Sequence, residues 1–507
     1  MSYETRLSEF REQVKRIEYQ KNTLNSLIYW DKITNMPEKG IEYRAKVMAS
    51  LGDQMYSMMT DQRFINNIKY LNGNRKNSDL TDAIIKRIVE SSESINLIPK
   101  HEYGSYIELI AVSENIWEKA REKNDYDMLA PYLEQIFSFF KCFAEYWGYE
   151  DNPYDALMNY YVDGMTVAKV DRLVSEIKPF LINSLSKINN NKVPRNFSMP
   201  AKLKITAQEK LCKELLKSIG FDFDAGRVDS GAHPTVLANS PFDVRIVNNY
   251  KEDNLFFGLF NVLHSGGKGL YHQSIDKDLV GTFLAEVPSF ALEEAVGRLY
   301  EDIVGRSKAF WNYFGETLLR YIENDSTAKY AAGKISSECY EYVNQVKESQ
   351  IRIEADELSY LLHIIIRYEL EKEVINNRLE VKDLPDAWAE KCKEYFGEAP
   401  SDYASGILQD IHWAAGYVGY FPTYIYASLI SAQLAGSFIK ESATPLDSSL
   451  GFSLESLKDW LTKNLFKYGA KYSTEEVVKI ATGKQISHDE FISYLKNKFS
   501  DVYQIKL

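Results

Sequence analysis

At 507 residues the chain can bury a large core, and 45% hydrophobic with 26% charged residues is the balance of a folded globular protein. Its 35 Tyr and 25 Phe exclude extended disorder. A net charge of −12 without a block of basic residues excludes a dedicated nucleic-acid binder, whose affinity comes from clustered Lys and Arg.

In chain order, helical periodicity dominates. The N-terminal Met-Ser-Tyr-Glu-Thr-Arg-Leu carries charge at once and no apolar signal core, so a cytoplasmic protein is expected. Over Tyr3–Lys21 the residues Leu7, Phe10, Val14 and Ile17 form one apolar stripe at spacings of three and four. Similar stripes predict helices around 80–98, 106–121, 166–188, 205–218, 354–377 and 475–497. Asn189–Asn191 with Pro194 and Pro200 reads as a linker. It divides a single unit over 1–507 into an N-terminal helical lobe at about 1–195 and a C-terminal lobe at about 196–507. The clearest strand signal is Phe242–Tyr250, with β-branched Val244, Ile246 and Val247. From Ile411 to Ile439 no residue is charged, a length that could span a bilayer. Pro422, Gln433 and His412 within it favour a buried helix of a large soluble protein and no membrane partner. The four Cys are far apart, form no C-x-x-C, and read as reduced structural thiols. The fold class is mainly α with a small β-sheet near the middle of the chain.

Residues 263–271, Leu-His-Ser-Gly-Gly-Lys-Gly-Leu-Tyr, carry the frame of a zinc-peptidase helix. A working His-Glu-x-x-His places two His on one helical face to hold Zn²⁺, with the Glu as base for the metal-bound water. Here His264 stands at the first ligand position, Ser265 at the base and Lys268 at the second ligand.

Other stretches in one order resemble the carboxypeptidase Taq family of zinc metallocarboxypeptidases, nearly end to end. They include Trp30-Asp31, Met36-Pro37, Pro153-Tyr154-Asp155-Ala156-Leu157, Gly226-Arg227-Val228-Asp229-Ser230, His233-Pro234 and Asp243-Val244-Arg245-Ile246. Later come Ile351-Arg352-Ile353-Glu354-Ala355-Asp356-Glu357-Leu358, Gln409-Asp410-Ile411-His412-Trp413 and Gly419-Tyr420-Phe421-Pro422-Thr423-Tyr424. The resemblance implies a saddle-shaped, two-lobed, zincin-like molecule with a deep central cleft, commonly a homodimer. It implies removal of C-terminal residues from peptides by a water on zinc or cobalt. It places the third metal ligand at Glu294 and cleft roles at His233, Arg352, Tyr420 and His412. The departures cluster on the chemistry: Ser265 for the base, Lys268 for a ligand, Glu293 for a His, Thr235 for a Phe and Val247 for a Thr.

The residues argue the same way. A Lys ammonium offers only donors, and could ligate zinc only by losing a proton held at a reference pKa of about 10.4. His264 and Glu294 are fewer than the three protein ligands of a catalytic zinc. Gly266, Gly267 and Gly269 suggest a relaxed helix. Arg352 and Tyr420 are candidates for gripping a peptide carboxylate and stabilising an oxyanion, against an ion pair of Arg352 with Glu354 or Asp356. His363 reads as a core residue, and His272 as a poor substitute ligand, rotated off the His264 face. No cofactor is expected. The function expected is a metallocarboxypeptidase homologue with lost or impaired catalysis that binds peptide in its cleft or regulates. The alternatives are a weak metal-dependent carboxypeptidase using His264, Glu294 and an atypical third ligand such as Glu293, and a purely structural helical dimer. Lys268 is expected to take over the metal's place by pairing with Glu294 or Glu293.

Overall fold

The computed structural model describes residues 1–76, 79–191, 203–231, 234–323, 332–347, 349–442 and 454–507. Of the Asn189–Asn191, Pro194 and Pro200 linker, Asn189 and Asn190 instead end the helix Val167–Asn190, while Pro194 and Pro200, like His233, lie outside the described residues. Among the described residues the fold is mostly helical with one three-stranded sheet. The N-terminal stripe folds as the helix Tyr3–Asn22, which buries Leu7, Phe10, Val14 and Ile17. The other stripes correspond to helices Asp79–Asn96, Lys100–Lys123, Val167–Asn190, Ile205–Ser218 and Glu357–Ile375. The stripe at 475–497 is instead two helices, Thr474–Thr482 and Asp489–Tyr503. Gly483, at φ 76°, takes the left-handed conformation that ends the first of them.

The uncharged stretch also divides. Residues 411–421 are turns, and the helix begins only at Pro422, running Pro422–Ser442. Proline fits there because the first helical position needs no amide donor. Among the described residues no helix is long and apolar enough to cross a membrane. All four cysteines are free, and Cys212, Cys339 and Cys392 are buried.

The chain forms two compact units, each assembled from three stretches. The first contains Met1–Glu93, Phe197–Val343 and Leu434–Gln485; the second contains Ser94–Asn196, Asn344–Gln433 and Ile486–Leu507. The first unit holds the sheet, β1 (Gly226–Ser230), β2 (Thr235–Ser240) and β3 (Asp243–Asn248), in the order β1-β3-β2. β3 is central, parallel to β1 and antiparallel to β2, and buries Val244, Ile246 and Val247. The strand signal at 242–250 therefore marks the middle of the sheet, where β-branched side chains pack best. The two strand departures noted above, Thr235 and Val247, are register partners on β2 and β3. The helix Leu255–Gln273 packs on this sheet and on the helices Ile205–Ser218 and Phe290–Arg298.

Candidate functional site: an ion cluster where a metal would be held

Helix Leu255–Gln273 carries His264, Ser265 and Lys268, and is capped by the Asn254 side chain at its N-terminus. The expectation of a relaxed helix is wrong. A Cβ on Gly266 would come within 2.6 Å of Leu216, one on Gly267 within 2.7 Å of the Val296 carbonyl, and one on Gly269 within 2.8 Å of Phe221. The three glycines are contact points where neighbouring helices and loops approach the backbone, and their helix propensity cost is offset by that packing.

The short helix Phe290–Arg298, capped by Ser289, brings Glu293 and Glu294 to the same place. The Lys268 Nζ donates to Glu294 Oε2 at 2.6 Å, and His264 Nε2 lies 3.3 Å from Glu294 Oε1. On the other side of the ring His264 Nδ1 meets Glu301 Oε2 at 2.9 Å. The imidazole lies so close to Gly297 that a Cβ there would fall 2.7 Å from it. Burial opposes a charge on His264, but Glu294 and Glu301 outweigh it and push its pKa up to about 9. Burial likewise opposes the Lys268 ammonium, and Glu294 and Glu293 more than restore it. Burial would raise the Glu294 pKa, but Lys268 and His264 hold it well below the usual carboxylate range.

His272, expected only to be a poor substitute ligand, has a partner of its own. Its Nε2 lies 2.9 Å from Glu293 Oε1, so Glu293 is paired by imidazole rather than left for Lys268 alone. Sequence reasoning also missed Glu301, Arg298 and Arg306. Arg298 reaches Asp302 at 3.2 Å, and Arg306 reaches Asp302 at 3.2 Å and Glu301 at 3.7 Å. A signal existed: Glu294, Arg298, Asp302 and Arg306 alternate in sign at spacings of four, the pattern of a charged helical face.

The second unit gathers the other candidates. Asp410 takes two arginines at once, Arg352 at 2.7 Å and Arg367 at 2.5 Å. Arg352 therefore pairs with Asp410 and not with Glu354 or Asp356. The Asp410 carboxyl, which burial would raise, is held far below the usual range by the two guanidiniums. The His412 ring lies 4.6 Å from Phe421 and 5.9 Å from Tyr420, and Tyr420 meets Tyr161 edge-on at 5.1 Å. Burial keeps His412 neutral, with its pKa lowered to about 4. His363 is fully buried, as expected, against Phe396.

A family profile described as carboxypeptidase Taq (M32) metallopeptidase matches residues 9–499. The chain belongs to the M32 family. It is 34% identical to Carboxypeptidase 1 of Bacillus subtilis (strain 168), over 99% of this chain and 100% of that one. It is likewise 34% identical to Thermostable carboxypeptidase 1 of Thermus thermophilus, over 96% and 98% of the two chains. The M32 carboxypeptidase of Deinococcus radiodurans R1 has the same fold, with a TM-score of 0.94 at 27% identity and coverage of 99% and 100%.

The M32 frame makes the donor set at His264 a direct test of metal chemistry. One imidazole, one carboxylate and one ammonium do not fit a three-ligand zinc centre. The ammonium sits on the carboxylate that would face the cation, and like charges repel there. Among the described residues no group of three or more His, Cys, Asp and Glu is arranged to hold a metal ion.

Proposed function

We propose that this M32 homologue has lost zinc-dependent peptide hydrolysis and serves as a peptide-binding or regulatory protein, a homodimer of the cytoplasm. The observation that carries the reading is the Lys268–Glu294 ion pair at 2.6 Å. An internal cation supplies the positive charge that Glu294 would otherwise take from a metal. Ser265, in the position of the base, has no lone pair basic enough to take a proton near neutral pH. Glu293, the candidate atypical third ligand of a weak enzyme, is engaged by His272. Peptide recognition falls to the second unit. There Arg352 and Arg367 share Asp410, and Arg352, the more exposed of the two, is the guanidinium that a peptide's terminal carboxylate would meet. Tyr420 and His412 supply ring surface beside it.

The test is release of C-terminal amino acids from blocked dipeptides with added Zn²⁺ or Co²⁺. Loss of the base alone lowers rates by about 10²–10⁴-fold, so turnover is expected at least that far below an M32 enzyme with the intact motif. The double change Ser265→Glu, Lys268→His is expected to restore zinc binding. Ordinary turnover by the natural chain, abolished by Glu294→Ala, would overturn the reading.

A further inference from the structure

We propose that Glu371 is the positioning residue of the peptide-facing segment 409–421: its single buried carboxylate ties that segment to the helix Pro153–Tyr161 and so fixes where His412 and Tyr420 stand. This rests on the peptide-binding role given above to the Arg352, His412 and Tyr420 cluster.

Glu371 lies on the helix Glu357–Ile375 and is fully buried. Its Oε1 accepts from Trp413 Nε1 at 2.5 Å. Its Oε2 accepts from the Tyr154 hydroxyl at 2.5 Å and from the Gly419 amide at 2.8 Å. An indole N–H and a backbone amide can only donate, so both carboxyl oxygens must accept, which a carboxylate does and a primary amide of the same shape cannot. Such matching is what makes a buried charge tolerable.

Two of the three donors belong to the segment itself. Gly419 has φ 86°, and a Cβ on it would lie 2.9 Å from the backbone carbon of Leu157. The chain thus runs hard against the helix Pro153–Tyr161 at the residue before Tyr420, and its amide is pinned there by Glu371. Trp413 follows His412 directly. Asp410 anchors the start of the segment to Arg352 and Arg367. Glu371 anchors the remainder and acts on the rings only through Trp413 and Gly419.

Glutamine in this place has the same size and the wrong valence. Its oxygen can accept from Trp413, and its amide can donate to the Tyr154 hydroxyl. The Gly419 N–H then faces a donor and loses its partner. Protonation of Glu371 weakens the same bonds. Burial pushes this carboxyl up to about 7, against the three hydrogen bonds and Arg367. The other titratable groups turned to it are Tyr154 and Tyr161 of the helix Pro153–Tyr161, both driven far above the usual phenol value by burial and so neutral.

Hydrogen exchange on the full-length protein tests this. In Glu371→Gln the amides of 413–421 should lose about tenfold protection while the helix Glu357–Ile375 keeps its own. After correction for intrinsic rates, the natural chain should lose protection in the same segment as pH falls from about 8 to about 6, and the variant should not. Should the variant fail to fold, the pH series on the natural chain decides alone. Calorimetry with benzyloxycarbonyl-Ala-Phe should show about tenfold weaker binding in the variant. A probe that fails to bind even the natural chain counts against the peptide reading, while the exchange result still decides the role of Glu371. Unchanged protection in 413–421, or loss spread evenly over the unit, overturns the proposal.

Discussion

Asp410→Ala is expected to destabilise the second unit by about 3–5 kcal/mol or more, because it leaves uncompensated buried charge. Asp410 holds Arg352 and Arg367 together, and their side chains are 10% and 1% exposed. Arg367 has little alternative: its guanidinium is stacked 4.4 Å over Trp388 and donates to the His363 carbonyl. Removing the carboxylate sets two cations side by side without a counter-charge, and repulsion adds to desolvation. Asp410→Asn keeps the shape and should cost nearly as much, which separates charge from packing. Urea unfolding followed by circular dichroism gives the numbers. A loss below about 1 kcal/mol for both variants would mean the arginines find water instead.

Lys268→Ala is expected to cost about 1.5–3 kcal/mol in the first unit, the loss of a hydrogen bond to a buried charge. It leaves the Glu294 carboxylate, whose side chain is 12% exposed, to the cationic His264 at 3.3 Å and Arg298 at 4.0 Å, so the charge is weakened in its pairing and not left alone. Change of an exposed lysine such as Lys210 should stay within about 0.5 kcal/mol. Lys268→Met with Glu294→Gln removes both charges and should recover much of the loss, since a buried ion pair need not add net stability over apolar residues. If the double variant is as unstable as Lys268→Ala, packing around the lysine stem is responsible and not its charge.

What the sequence disclosed follows the range of the interactions. The stripe Leu7, Phe10, Val14 and Ile17 is local, and the helix that buries it was readable from spacing alone. The pairing of Lys268 with Glu294 was also readable, because the M32 resemblance already brings positions 264, 268 and 294 together. The glycines at 266, 267 and 269 were misread because their reason lies in Leu216, Val296 and Phe221, far away along the chain. The same holds for His272 with Glu293, and for Asp410 as the partner of Arg352. Glu371 gave no signal at all: it sits in a nearly all-buried helix, and its three donors come from residues 154, 413 and 419.

Metal content tests the central claim most directly. The protein is purified without chelator and without added zinc, and zinc per chain is measured by elemental analysis beside the Ser265→Glu, Lys268→His variant. The Lys268 ammonium on Glu294 predicts far less than one zinc per natural chain, and a higher content in the variant. One tightly held zinc per natural chain, lost in Glu294→Ala, would contradict the account.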